Sequence, residues 1–213
     1  EVNDDDGKLS LQRVAVGEHI LLGGDNMDLT LAYTVANRLR EEKGTTLDNY
    51  QLAGLTHACR EAKEVLCADA DAPAQKLTVL GRGSSVIGGT ISTELTVDDL
   101  NAALVDGFFP KCALTDHPET TNKAGLRAFG LDYAADPAIT RHLAAFLSQH
   151  QGDGSGLPTA VLFNGGVSKA TALRDRIVDT LSSWLPADSG PIKVVTGTDP
   201  DRAVALGACW FGN

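Results

Sequence analysis

The stretch Ala160-Val-Leu-Phe-Asn-Gly165-Gly166-Val-Ser-Lys169 constrains this chain more than any other. Its apolar start, rich in Val, Leu and Phe, reads as a buried strand. The strand ends in two glycines, where the backbone can turn sharply and approach a ligand with no Cβ in the way. Ala172, Leu173, Ile177, Val178 and Leu181 then recur at helical spacing. Strand, glycine turn and helix N-terminus in succession suit the holding of a nucleotide. Further on, Thr198-Asp-Pro-Asp201-Arg-Ala-Val-Ala-Leu-Gly207-Ala repeats the logic. Asp199 caps a helix that Pro200 opens, and Ala203, Val204, Leu206 and Gly207 give it a small apolar packing face.

Upstream, Gly17-Glu-His-Ile-Leu-Leu22-Gly23-Gly24-Asp25-Asn-Met-Asp28 reads as a strand ending in a glycine turn. Ala58-Cys-Arg60-Glu-Ala-Lys63-Glu64-Val-Leu66-Cys67 lies in a helical stretch, and Ile91-Ser-Thr-Glu-Leu-Thr96-Val-Asp98-Asp-Leu100-Asn reads as a strand entering a helix. In this order the segments resemble the adenosine-binding half of the actin-like ATPase superfamily. Among its members they look most like the 70-kDa heat-shock chaperones of the DnaK type. Those proteins carry a Leu-Gly-Gly-acid-acid-Phe-Asp turn, an Ala-Lys-Leu helix across the cleft, and a strand leading into a helix after a hairpin.

The resemblance implies an α/β fold: an actin-like ATPase (ribonuclease H-like) half-domain, a mixed sheet with helices plus a smaller α+β subdomain. Residues 1–22 and 116–213 would form the sheet-and-helix part carrying the adenosine motifs. Residues 23–115 would form an inserted helix-hairpin subdomain over the cleft. Residues 110–133, including His117-Pro-Glu-Thr-Thr-Asn-Lys, read as an insertion atypical of the family.

It also implies a site. Gly165 and Gly166 would approach the ribose and α-phosphate, where the plain reading of a glycine pair is a packing turn. Lys169 would lie along the adenine with its stem against the ring, or stand as a solvated lysine. Asp201 would face the nucleoside, or simply extend a helix cap. Lys63 would donate to the ribose hydroxyls, and Gly24 and Asp25 would form the turn facing the phosphates.

At other positions the chain departs from the family. Arg60 stands where an acidic residue accepts from ribose, and a guanidinium cannot accept. Glu64 replaces an arginine that stacks on adenine. Cys67 and Val167 each replace a serine, so two hydrogen bonds to adenosine are lost. At about 0.5–1.5 kcal/mol each, that weakens binding by about one to two orders of magnitude.

The expected ligand is ATP or ADP with Mg, whose metal ligands belong mainly to another lobe. The chain opens at Glu1 without Met, its sole methionine being Met27, which reads as a piece cut from a longer protein. The phosphate loops and catalytic carboxylates of such ATPases do not occur in it. The parent is expected to be a cytoplasmic chaperone ATPase, the present chain inactive by itself. Its partners would be the other lobe, a peptide-binding domain, and a nucleotide-exchange factor or co-chaperone. Three alternatives stay open: half of a sugar kinase of the same superfamily, a non-enzymatic scaffold with a degenerate pocket, and an actin-type filament protein.

Composition narrows the classes. A formal net charge of −10 argues against general nucleic-acid or acidic-membrane binding, which needs clustered Lys and Arg. With 213 residues, 43% of them apolar, the chain is long enough for a sizeable core. No apolar run approaches a membrane span. Cys59, Cys67, Cys112 and Cys209 show no metal-ligand spacing and read as thiols of a reducing compartment, and the scattered histidines include His19 at a strand end.

The remaining pattern is coarse. Asn3 to Gly7 reads as a hairpin turn before a strand from Lys8 to Val16. Helices are expected from Asp25 to about Arg40, over Asp48–Cys67 as one or two pieces, and from Asp98 to about Phe109 with Thr96 as cap. The face Leu52, Leu55, Ala58, Ala62, Val65 and Leu66 would point inward. Strands are expected at Lys76–Leu80 and Ser85–Thr93 around the turn Gly81-Arg-Gly83, with a bulge at Gly88-Gly89. Asp136-Pro137 opens a helix carrying Ile139, Leu143, Phe146 and Leu147, and Gln151–Gly156 is a loop.

Overall fold

The computed structural model describes residues 2–5, 8–69, 71–81, 89–120, 135–150, 156–196 and 199–211. The turn Gly81-Arg-Gly83 beyond its first residue, the bulge at Gly88, the 121–133 part of the expected insertion and the loop 151–155 lie outside them.

Met27, Leu31, Val35 and Leu39 recur at helical spacing, and helix α1 (Gly24–Lys43) buries all four. Gly23 N–H donates to Asn26 Oδ1 at 2.9 Å to start it. It stops at Gly44, whose left-handed φ of 63° lets its N–H reach back to Arg40 O. Helix α2 (Asn49–Ala68) is a single piece. Asp48 accepts from Gln51 N–H and Gln51 returns the bond to Asp48 N–H, satisfying two donors at the helix start. Its Leu52, Leu55, Cys59, Ala62 and Leu66 are buried. Val65, expected inward, is exposed, because it lies beside that stripe rather than on it.

Strands β3 (Gln75–Val79) and β4 (Ile91–Leu95) pair antiparallel, Gln75 opposite Leu95 and Val79 opposite Ile91. The second strand thus lies later than the expected Ser85–Thr93. Thr96 caps the next helix as expected: its Oγ1 accepts from Asp99 N–H, and Asp99 Oδ2 accepts from Thr96 N–H, both at 3.0 Å. That helix is not uniform. It runs as α3 (Val97–Leu100), a π-helical turn (Asn101–Val105) and α4 (Asp106–Phe108). These elements enclose one core, with Leu31, Val35, Leu55, Cys59, Leu77, Leu95, Leu104 and Phe108 almost wholly buried. Ala170 and Leu173 join it from the stretch after the glycine pair. Each such leucine contributes about 1.5–3 kcal/mol.

The remaining elements hold less of the core. Helix α5 (Ile139–His150) is capped by the buried Asp136, which accepts from Ala138 N–H and Glu119 N–H and pairs with Arg141. It buries Thr140 and Ala144, leaving the expected Leu143, Phe146 and Leu147 half-buried. Strand β5 (Ala160–Leu162) pairs parallel with β6 (Lys193–Val195), with α6 (Thr171–Trp184) between them in the chain. Arg176 of α6 donates to Val105 O and Phe109 O and pairs with Asp106, tying α6 to the π-helical turn.

Several expectations need correction. Ala172 is exposed on α6, since the helix buries Leu173, Thr180 and Leu181 instead. Helix α7 (Ala203–Phe211) leaves Val204, Leu206 and Trp210 exposed rather than packed. The sheet it would rest on has two strands, whose Leu162, Val194 and Val195 are exposed too. At the start, β1 (Val2–Asp5) and β2 (Lys8–Leu11) pair antiparallel, but Asn3, Asp4 and Asp5, expected in the turn, belong to β1, and the second strand stops at Leu11 rather than Val16. The chain is therefore mixed α/β, with its described strands in three two-stranded sheets instead of one mixed sheet. Among the described residues no helix is long and apolar enough to cross a membrane.

Candidate functional site

Helical periodicity assembles one wall. Arg60, Lys63, Glu64 and Cys67 are spaced three and four apart, so they share a face of α2. Asp25 and Asp28 share the facing side of α1 by the same rule. The opposite wall comes from the glycine turn after β5. Gly165 adopts φ 82° and ψ 161°, a conformation essentially reserved for glycine, and swings the chain into a short 3₁₀ turn (Gly166–Lys169). Ser168 is buried and donates its hydroxyl to Gly165 O at 2.6 Å, so it locks the turn instead of facing outward. Gly165 N–H donates to Pro200 O at 3.3 Å, which brings the Asp201 segment alongside.

These walls enclose a cavity of about 590 Å³. Gly24, Asp25, Arg60, Lys63, Glu64 and Cys67 line one side, and Gly166, Val167, Lys169 and Asp201 the other. Of the residues singled out in the sequence, Gly165 alone shapes the cavity without lining it. At Gly24 a Cβ would stand 3.6 Å from Lys63 Nζ and 3.8 Å from Val167 Cγ2. Met27, Ala68, Leu104, Ala170 and Leu173 supply an apolar lining that motif matching did not indicate. Leu104 gets there from the π-helical turn.

Sequence reasoning also passed over Asp28 as a site residue, although it ends the glycine-turn motif. The signal was its position three residues after Asp25, on one helix face with it. Asp28 is 1% exposed and divides its oxygens between two cations. Lys63 Nζ stands 2.6 Å from Oδ1, and Arg60 Nε donates to Oδ2 at 2.8 Å. Arg60 also pairs with Asp25. The hydrogen bond to Asp28 and the two carboxylates together push Arg60 still further above its usual range. On the opposite wall Lys169 pairs with Asp201, whose hydrogen bond raises the lysine as well.

Burial pushes the Cys67 thiol up, with Lys63 pulling it part of the way back. Behind it, burial and the Asp28 charge push Cys59 up to about 12. Both thiols are therefore weaker nucleophiles at neutral pH than a free cysteine. The carboxylates Asp25, Asp28 and Asp201 are each engaged by a cation, whereas Glu64, which also lines the cavity, is in no ion pair with another described residue. Among the described residues, no three His, Cys, Asp or Glu side chains cluster as a metal site. The cavity combines polar and apolar groups. It offers an apolar lining, a fixed ammonium, glycine backbone without side chains and a volume in the range of small-molecule and cofactor pockets, about 300–1,000 Å³.

We find no protein-family model and no curated protein that matches this chain.

Proposed function

We propose that this chain is the adenosine-binding lobe of a DnaK-like chaperone ATPase of the actin-like superfamily. The observation that carries the reading is convergence. Residues named from four separated sequence segments, Gly24–Asp25, Arg60–Cys67, Gly166–Lys169 and Asp201, line one cavity of nucleoside-compatible volume. In this reading Lys63 donates to the ribose, the Gly166 turn passes beneath the sugar, and Met27, Leu104 and Leu173 face the apolar part of the ligand. Mg and the hydrolytic groups belong to the other lobe of the parent protein; of the acids lining this cavity, Asp25, Asp28 and Asp201 are already paired with cations. The chain alone binds the nucleotide and does not turn it over.

A second reading, a scaffold with a degenerate pocket, is favoured by the same pairing. Arg60, Lys63 and Lys169, the cations lining the cavity, each hold a carboxylate. One experiment separates the two. Millimolar ADP raises the melting temperature of this chain if it binds, because a ligand of the folded state stabilises by mass action. An unchanged melt and no calorimetric heat would remove the nucleotide reading and leave the scaffold.

A further inference from the structure

We infer that Asp28 is the positioning residue of this cavity, fixing Lys63 Nζ and thereby setting affinity for the nucleotide; the inference rests on the reading above. A carboxylate 1% exposed is costly to bury unless cations stand against it. Here each oxygen takes one cation. The two cations differ in what else holds them. Arg60 keeps a second anchor in Asp25, out toward solvent. Lys63 otherwise donates to Gly24 O, at a long 3.4 Å. Lysine carries a flexible four-carbon stem and about 2 kcal/mol of rotamer entropy, so one strong contact decides where its ammonium stands.

That position matters because an ammonium has three donors. Gly24 O takes one of them, and Asp28 Oδ1 holds the ammonium at 2.6 Å as an ion pair rather than through a directed hydrogen bond, so N–H groups remain for a ligand in the cavity that Lys63 lines. Release of Asp28 frees the stem and spreads those donors over many directions. Asp28 touches the ligand nowhere in this scheme and acts through Lys63.

The test is calorimetric titration of ADP into the unmutated chain, Asp28→Asn, Lys63→Met and the double variant. Losing a charge-assisted contact predicts a roughly tenfold weaker affinity for Asp28→Asn. In the Lys63→Met background, the same change costs no further affinity beyond about twofold, a coupling that a general effect on the fold would not produce. An equal loss in both backgrounds, or none in the first, overturns the inference. If Asp28→Asn has no cooperative melt, Lys63→Met against the double variant carries the test: equal affinities are expected, and a further loss overturns it. Absence of binding by the unmutated chain is a different result, which removes the nucleotide reading and this inference with it.

Discussion

Lys169 and Asp201 form an ion pair on one wall of the cavity, joining the glycine turn after β5 to the segment that enters α7. Both side chains are about half exposed, 55% and 54%, so the pair adds little to stability. Both residues line the cavity, so a ligand bound there meets the pair. Asp201→Ala is expected to leave the melting temperature unchanged and to speed association of a fluorescent ADP analogue in stopped-flow mixing. High salt should reproduce the effect in the unmutated chain by screening the pair. Association rates indifferent to both changes would take the pair out of the binding step.

The two glycines of the turn should respond differently. Gly165 holds a backbone conformation that other residues avoid, while a Cβ there would touch nothing within 4 Å. The cost of Gly165→Ala is therefore backbone strain, about 1–3 kcal/mol, readable by urea denaturation. At Gly166 a Cβ also finds open space, without the left-handed backbone. Gly166→Ala should melt like the unmutated chain but bind ADP more weakly, because its methyl enters the cavity it lines.

The thiols give a chemical map of the site. Cys209 is exposed, Cys112 and Cys67 are half-buried, and Cys59 is buried. Burial raises Cys112, Cys67 and Cys59, the last to about 12. Iodoacetamide at neutral pH should alkylate Cys209 first and Cys59 last, by mass spectrometry of timed samples. Saturating ADP should slow Cys67 and leave Cys209 unaffected. Equal protection of both would point to global tightening rather than occupancy of the cavity.

Stability should fall on the acid side. Burial by itself would raise Asp99, but hydrogen bonds from Arg38 and Thr96 outweigh it and hold the group below its ordinary 3.8. Asp136 is likewise raised by burial and lowered further by Glu119 N–H, Ala138 N–H and Arg141. A carboxylate depressed in the folded state contributes fully above its unfolded value and loses that contribution as pH drops through its folded one. Melting temperature should thus hold steady down to about pH 4 and decline below it. In Asp99→Asn the decline should be shallower, from a lower plateau; an unaltered profile would take Asp99 out of the explanation.

How much of this was legible in the sequence depended on where the deciding interactions lie. Helices α1 and α2 could be read because Met27, Leu31, Val35 and Leu39, and Leu52, Leu55, Ala62 and Leu66, are both the periodic signal and the buried face. Caps such as Thr96 with Asp99 are local and equally readable. The cavity residues were found by motif, and their gathering follows from helix spacing plus one glycine turn. The charge network escaped notice because a carboxylate such as Asp28 looks like any surface acid until α2 lies against it. The packing expected of α7 and of the strand reaching Val16 also failed. An apolar sequence states what could be buried and leaves open which neighbour does the burying.

The π-helical turn Asn101–Val105 acts as a phase shift in an otherwise ordinary helix. Each residue of an α-helix advances about 100° around the axis, and a π turn holds one residue more than its α counterpart. That surplus lets Leu104 reach the cavity while Asp106 and the Val105 and Phe109 carbonyls still meet Arg176. Deleting a single residue, Ala102 or Ala103, would restore an even winding at the expense of that double alignment. A melt of the deletion variant should therefore fall further than one of Arg176→Ala, which loses the docking contacts but keeps the winding.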